Sequence, residues 1–129
     1  MRGSKHDLPA AVELPDGSTI RQADWGGMTA ELGSFNGSAD PGPLFKGLPD
    51  DRCPCPHWGY VIKGQLRYRF ADREEVFNAG DVYHVGPGHL PVIGDDTEYV
   101  EFSPADLLQQ TMEVVGRNFE AMTAGAGSR

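Results

Sequence analysis

The chain has 129 residues, 39% of them hydrophobic and 23% charged, which suits one domain with a sizeable core. Its formal net charge of −8 argues against nucleic acid or an anionic membrane as partner, since both repel an acidic surface. No apolar run approaches the length of a membrane span, and no signal peptide is expected ahead of the domain.

Gly (17) and Pro (10) are both abundant, which favours many turns and short strands. Residues 1–18 lack periodicity and read as a loose arm, with Pro15-Asp16-Gly17 as a turn signal. A first strand is expected at 19–25, and Gly26-Gly27 permits a sharp bend or bulge. Residues 28–35 set Met28, Ala30 and Leu32 against Thr29, Glu31 and Gly33, the alternation of a half-buried strand. A Gly/Ser/Asp/Pro loop follows at 36–43, with Phe45 and Leu48 placed to pin the next segment to the core.

The stretch from Arg52 to Gly64 holds both cysteines and one of the four histidines. Strands are expected after it at 59–62, 65–70, 74–77, 81–85, 91–93 and 99–102, with turns between them. Such short strands with closely spaced turns predict a sandwich or barrel. From Ser103 the period changes. Ser103, Pro104 and Asp106 read as a helix start, and Leu108, Met112, Val115, Phe119 and Met122 form one apolar stripe. That stripe needs a partner, either the outer face of the barrel or a second subunit. The expected organisation is therefore an arm at 1–18, a β-barrel at 19–103, a helix at 104–123 and a flexible tail at 124–129.

Two cysteines without an export signal suggest a reducing cytoplasm, where such pairs more often bind metal than form disulfides. In a strand, residues i and i+2 share a face about 6.5 Å apart, so Cys55 and His57 are placed to grip one ion. Cys53, four residues before His57, joins them only if Pro54 and Pro56 bend the chain. A Cys53–Cys55 disulfide is disfavoured by the same spacing. His89 follows the Gly86-Pro87-Gly88 corner and is a further candidate ligand. His84 reads as a surface residue or a support to a ligand, and His6 lies in the arm. Trp58 alternates away from His57, and Tyr60, Tyr68, Tyr99 and Glu101 are acid–base candidates whose side alternation does not fix.

From about Cys53 to Pro104 the chain resembles a small single-domain cupin. The residues that carry this are Cys55 through Gly64, then Ala79-Gly80-Asp81-Val82-Tyr83, then Gly86-Pro87-Gly88-His89. The resemblance implies an all-β, jelly-roll β-barrel, often a homodimer, with one metal in its mouth. The usual first motif has His-x-His and a following Glu. Here Cys55-x-His57 has the first spacing, whereas counting back from Gly64 puts His57 at the Glu and Cys53 at the second His. The usual second-motif His falls on Pro91, so His89 is the substitute.

The expected ligand set is thus Cys53, Cys55, His57 and His89 around one divalent transition-metal ion. Thiolate with imidazole favours zinc or copper, and iron is compatible. Four protein ligands would close the site, and three would leave a position for water or substrate. The leading expectation is a metal-dependent enzyme acting on a small molecule, such as a dioxygenase, isomerase or lyase, with no catalytic residue assigned. The alternatives are a non-catalytic metal- or small-ligand-binding module and an assembly protein working through its helix. No phosphate loop, nucleotide fingerprint or Ser/His/Asp arrangement supports hydrolase or nucleotide chemistry.

Overall fold

A computed structural model describes residues 1–37 and 41–127, the side chains of 123–127 excepted. The strands are β1 (Ala10–Glu13), β2 (Thr19–Trp25), β3 (Met28–Phe35), β4 (His57–Lys63), β5 (Gln65–Arg69), β6 (Glu74–Asn78), β7 (Val82–Val85), β8 (Leu90–Ile93) and β9 (Thr97–Pro104). The helix α1 spans Ala105–Gly127. Two short 3-10 turns, Gly42–Phe45 and Pro49–Asp51, shape the connection from β3 to β4. Part of the expected loop at 36–43 and the last two residues of the expected tail lie outside the described residues.

The strands form two antiparallel sheets, one ordered β1-β2-β3-β9-β4-β7 and the other β6-β5-β8. Val61, Leu66, Tyr68, Tyr83, Val85 and Tyr99 fill the layer between them. No strand ladder joins the two sheets among the described residues, so the expected closed barrel is an open, two-sheet jelly roll. An isolated bridge between Cys53 and His89 ties the incoming loop to the edge of the smaller sheet.

Local chemistry accounts for the register. Trp25 pairs with Met28 across Gly26 and Gly27, which take φ of 59° and 83°. A two-residue hairpin of this hand needs positive φ at both positions, and glycine adopts it without a Cβ clash. The pair therefore makes a tight hairpin rather than a bulge. In β5, Leu66 and Tyr68 are buried while Arg67 and Arg69 are exposed, as the alternation predicts. β3 departs from its pattern: Thr29, Glu31 and Gly33 are buried, whereas Met28 and Leu32 are only half-buried. The polar side of that strand faces inward.

Three boundaries differ from expectation. The arm is partly built into the sheet, since β1 pairs with β2 and Leu8 is buried. Ser103 and Pro104 belong to β9, and α1 starts at Ala105, with the Leu107 N–H donating to Asp106 Oδ1 at 2.9 Å. The helix continues through most of the expected tail, to Gly127. The first part of its stripe packs not on the sheet's outer face but on the loop before β4. Leu108, with Met112 and Val115, packs on Phe45, Leu48, Cys53 and Cys55. Asn118 then donates to the carbonyls of Leu44 and Lys46 at 2.7 and 2.8 Å, which latches the loop to the helix.

Candidate metal centre

The Cys53–Cys55 segment runs between that helix layer and the interior of the jelly roll. Cys53 is held by backbone bonds on both sides: its N–H donates to the His89 carbonyl at 2.8 Å, and its carbonyl accepts from Gly88 at 2.8 Å. These bonds bring the corner at 86–89 and the cysteine loop to one place. His57, the first residue of β4, then enters from the larger sheet. Cys53 Sγ lies 3.7 Å from His57 Nε2. A straight strand would hold residues four apart at about 13 Å, so the Pro54-Cys55-Pro56 link is strongly bent.

One ligand atom each from Cys53, His57 and His89 lies within 4.8 Å of the others. Cys55 is not in this group. It is fully buried in the layer under the helix, with its sulfur 3.5 Å from the Pro56 carbonyl. Both cysteines are free thiols. His84 is exposed and stacks on Trp58 with ring centroids 4.8 Å apart, and His6 is exposed in the arm.

The tautomers follow from the outer partners. His89 Nδ1 lies 2.6 Å from the Gly86 carbonyl, an acceptor, so Nδ1 carries the proton and donates. His89 Nε2 is left as a bare lone pair, buried and without any hydrogen-bond partner. His57 Nδ1 shares a 2.6 Å hydrogen bond with Ser103 Oγ. Ser103, read from sequence as a helix cap, is turned inward and orients an imidazole instead. Metal-ligating histidines are commonly fixed through their second nitrogen in this way.

Burial pushes both histidines down to about 4, His89 being lowered further by His57 beside it. Both are neutral at pH 7, as ligation requires. Burial pushes the Cys53 and Cys55 thiols up to about 12. Cys53 is therefore a protonated thiol until a cation replaces its proton. The fit to a metal rests on an orphaned imidazole nitrogen, a neutral second imidazole and a thiol brought together in the interior.

Beside the group lies a polar network that sequence reasoning largely missed. Glu31 and Glu101 are directly paired across β3 and β9. Tyr68 and Tyr83 donate to Glu101 Oε1 at 2.6 and 2.7 Å, and Tyr99 donates to Glu31 Oε2 at 2.6 Å. Gln22 donates to the other Glu31 oxygen at 2.7 Å. Burial raises Glu101 to about 7, opposed by the two phenol donors, and burial with the Glu101 charge raises Glu31. Glu101 Oε2 stands 3.7 Å from His57 Nδ1, a polar contact rather than an ion pair because His57 is neutral. Tyr68, Tyr99 and Glu101 were acid–base candidates; Glu31 was read only as one side of an alternation. The available signal was that Glu31 and Gly33 alternate as Tyr99 and Glu101 do, small opposite large, as a facing pair would require.

The fold is that of solved cupin structures. The chain is similar to an RmlC-like cupin from Shewanella frigidimarina NCIMB 400, with a TM-score of 0.53 and 14% identity over 79% of this chain and 88% of that one. It is similar to KdgF from Halomonas sp., with a TM-score of 0.50 and 18% identity over 80% of this chain and 94% of that one. It also matches apo HppE, with a TM-score of 0.53 and 9% identity over 80% of this chain and 57% of that one. No protein-family model and no curated protein matches the chain. At these identities the likeness is one of fold alone: a cupin-type jelly roll, inside which sits a buried Cys/His/His group able to hold a metal ion.

Proposed function

We propose that Cys53, His57 and His89 bind one divalent transition-metal ion and that the protein is a metalloenzyme acting on a small molecule. The observation that carries this is His89 Nε2, a buried lone pair with no partner on a histidine grouped with a thiol and a second imidazole. A buried acceptor left unmade is costly, and a cation removes that cost. Thiolate and two imidazoles favour zinc or copper, with iron compatible. Three protein ligands leave a fourth position for water or substrate, where the metal supplies Lewis-acid chemistry. Cys55 stays outside the set and packs under the helix. The adjoining Glu101, held by two phenols and close to His57, is a carboxyl group able to hold or move a proton beside the site.

The rival reading is a non-catalytic metal-binding module. It is favoured by the burial of Cys53, His57 and His89, which are 3%, 5% and 0% exposed. Metal loading followed by azide binding separates the two readings. An open coordination position gives a spectral change in the cobalt-substituted protein, and a closed one gives none.

For partners and location, a second copy seated on the outer face of the larger sheet would cover Trp58, Tyr60, Ile62, Val82 and Phe102, all exposed there. Sedimentation velocity tests this, and a monomer at high concentration would rule it out. The free thiols fit a reducing cytoplasm. No helix among the described residues is long and apolar enough to cross a membrane.

A further inference from the structure

A cavity of about 630 Å³ opens next to the metal centre, lined by Asp50, Asp51, Arg52, Phe70, Asp72 and Gly88 among others. Its volume falls within the range of small-molecule sites. Arg52 and Gly88 immediately precede the ligands Cys53 and His89 in the chain. Phe70 packs edge-on against His89, with ring centroids 6.1 Å apart. The cavity wall is thus the back of the metal centre.

Arg52 is the unusual member. Its Nε is buried without a hydrogen-bond partner, and Nη1 reaches only the Asp50 carbonyl, at 3.4 Å. That distance is long for an N–H···O bond. Arg52 forms no ion pair among the described residues, although three carboxylates line the same cavity. Asp51 Oδ1 is engaged by the Gly47 N–H at 2.9 Å, and Asp72 Oδ1 by Arg73 at 3.1 Å. Nε itself has no exposed surface, but Nη2 is unpartnered among the described residues and Nη1 only weakly engaged, and this outer edge of a guanidinium matches a carboxylate in bidentate geometry. A simple anion, however, would also meet the three aspartates. A ligand carrying both a carboxylate and an ammonium satisfies both signs of charge.

We propose that this cavity docks a small amino acid, its carboxylate on the Arg52 guanidinium and its ammonium on the Asp50–Asp51 side. Phe70 covers the apolar part of the ligand. That such a molecule is the substrate of the metal centre rests on the metalloenzyme reading; the docking itself does not.

The test is a heteronuclear NMR titration of the full chain with L-alanine, propionate and ethylamine. L-Alanine is expected to move the amides of Ala71 and Gly88, with Kd raised about tenfold or more in Arg52→Gln. Propionate and ethylamine, each lacking one charge, are expected to bind more weakly than L-alanine. If Arg52→Gln does not fold, Arg52→Lys keeps the charge but loses the fork, and weaker L-alanine binding is expected there too. Absence of shifts at those amides, or an unchanged Kd in the folded Arg52 variant, overturns the docking. Propionate binding as tightly as L-alanine overturns the amino-acid class. Metal content is measured on the same samples. Shifts in a chain that takes up no metal overturn the metal reading alone, and a metal-loaded chain without them overturns the docking alone.

Discussion

Strands β4 and β9 carry opposite chemistries on their two faces, and the usual order is reversed. Inward lie His57, Tyr99, Glu101 and Ser103, all buried. Outward lie Trp58, Tyr60, Ile62 and Phe102, each more than 40% exposed. Burial in this sheet follows pairing more than polarity. Each inward polar group meets a partner from another strand: Glu101 from Tyr68 and Tyr83, Glu31 from Tyr99, His57 from Ser103. Buried polar groups persist when satisfied and are costly when not. The exception is His89 Nε2, which belongs to the group formed with Cys53 and His57.

The sharpest way to break this contrast is to unpair the inner face. Glu101→Ala strands two buried phenol hydroxyls and leaves a void, so a loss of about 3 kcal/mol or more is expected in urea unfolding. A loss no larger than that of an exposed residue would mean that the network is not a source of order.

The next effect is a pH dependence with a defined sign. Burial raises Glu101 from the ordinary value of 4.5 to about 7, so the folded chain retains a proton that the unfolded chain releases. Its contribution is fully present below pH 4.5 and is lost as pH rises through 7. Glu101→Gln has no such loss. The stability of the metal-free variant relative to the native chain should therefore rise by about 2–3 kcal/mol between pH 4.5 and 8 and then level. A flat difference across this range would show that Glu101 is ionised in the fold throughout.

A smaller effect is expected at Gly33. A Cβ there would strike the ring of Tyr99, whose hydroxyl donates to Glu31. Gly33→Ala should cost about 1–2 kcal/mol and shift the near-ultraviolet signal of the buried tyrosines. The smallest belongs to the outer face. Ile62→Ser is expected to change monomer stability by less than about 1 kcal/mol, because the side chain is already half in water. In a dimer seated on that face it would instead raise the dissociation constant, which sedimentation reads.

Much of this was legible in the chain because it is written locally. Glycines at forced φ, prolines at corners and period-two apolar runs place the turns and most strands. The cupin resemblance singles out His57 in its first motif and His89 in its second. What was not legible depends on which face of a strand turns inward. Alternation in β3 names two sides but does not rank them, and the polar side is buried only because β9 and β5 supply partners for it. Ser103 has the local credentials of a helix cap, yet the strand continues past it and hands its hydroxyl to His57. Strand spacing favoured Cys55 as the companion of His57. The bent Pro54-Cys55-Pro56 link instead sends Cys55 under the helix and brings Cys53 to the histidines. That bend is fixed by the backbone bridge to His89, a contact between residues 36 apart in sequence.

The central claim is that Cys53, His57 and His89 hold one ion without Cys55. Its most direct measurement is metal content by plasma mass spectrometry, for the native chain and for Cys53→Ser, Cys55→Ser, His57→Ala and His89→Ala, each checked for folding by circular dichroism. About one ion per native chain is expected, retained in Cys55→Ser and lost in the other three. A folded native chain that takes up no metal, or a Cys55→Ser variant that loses it while Cys53→Ser keeps it, would contradict the account.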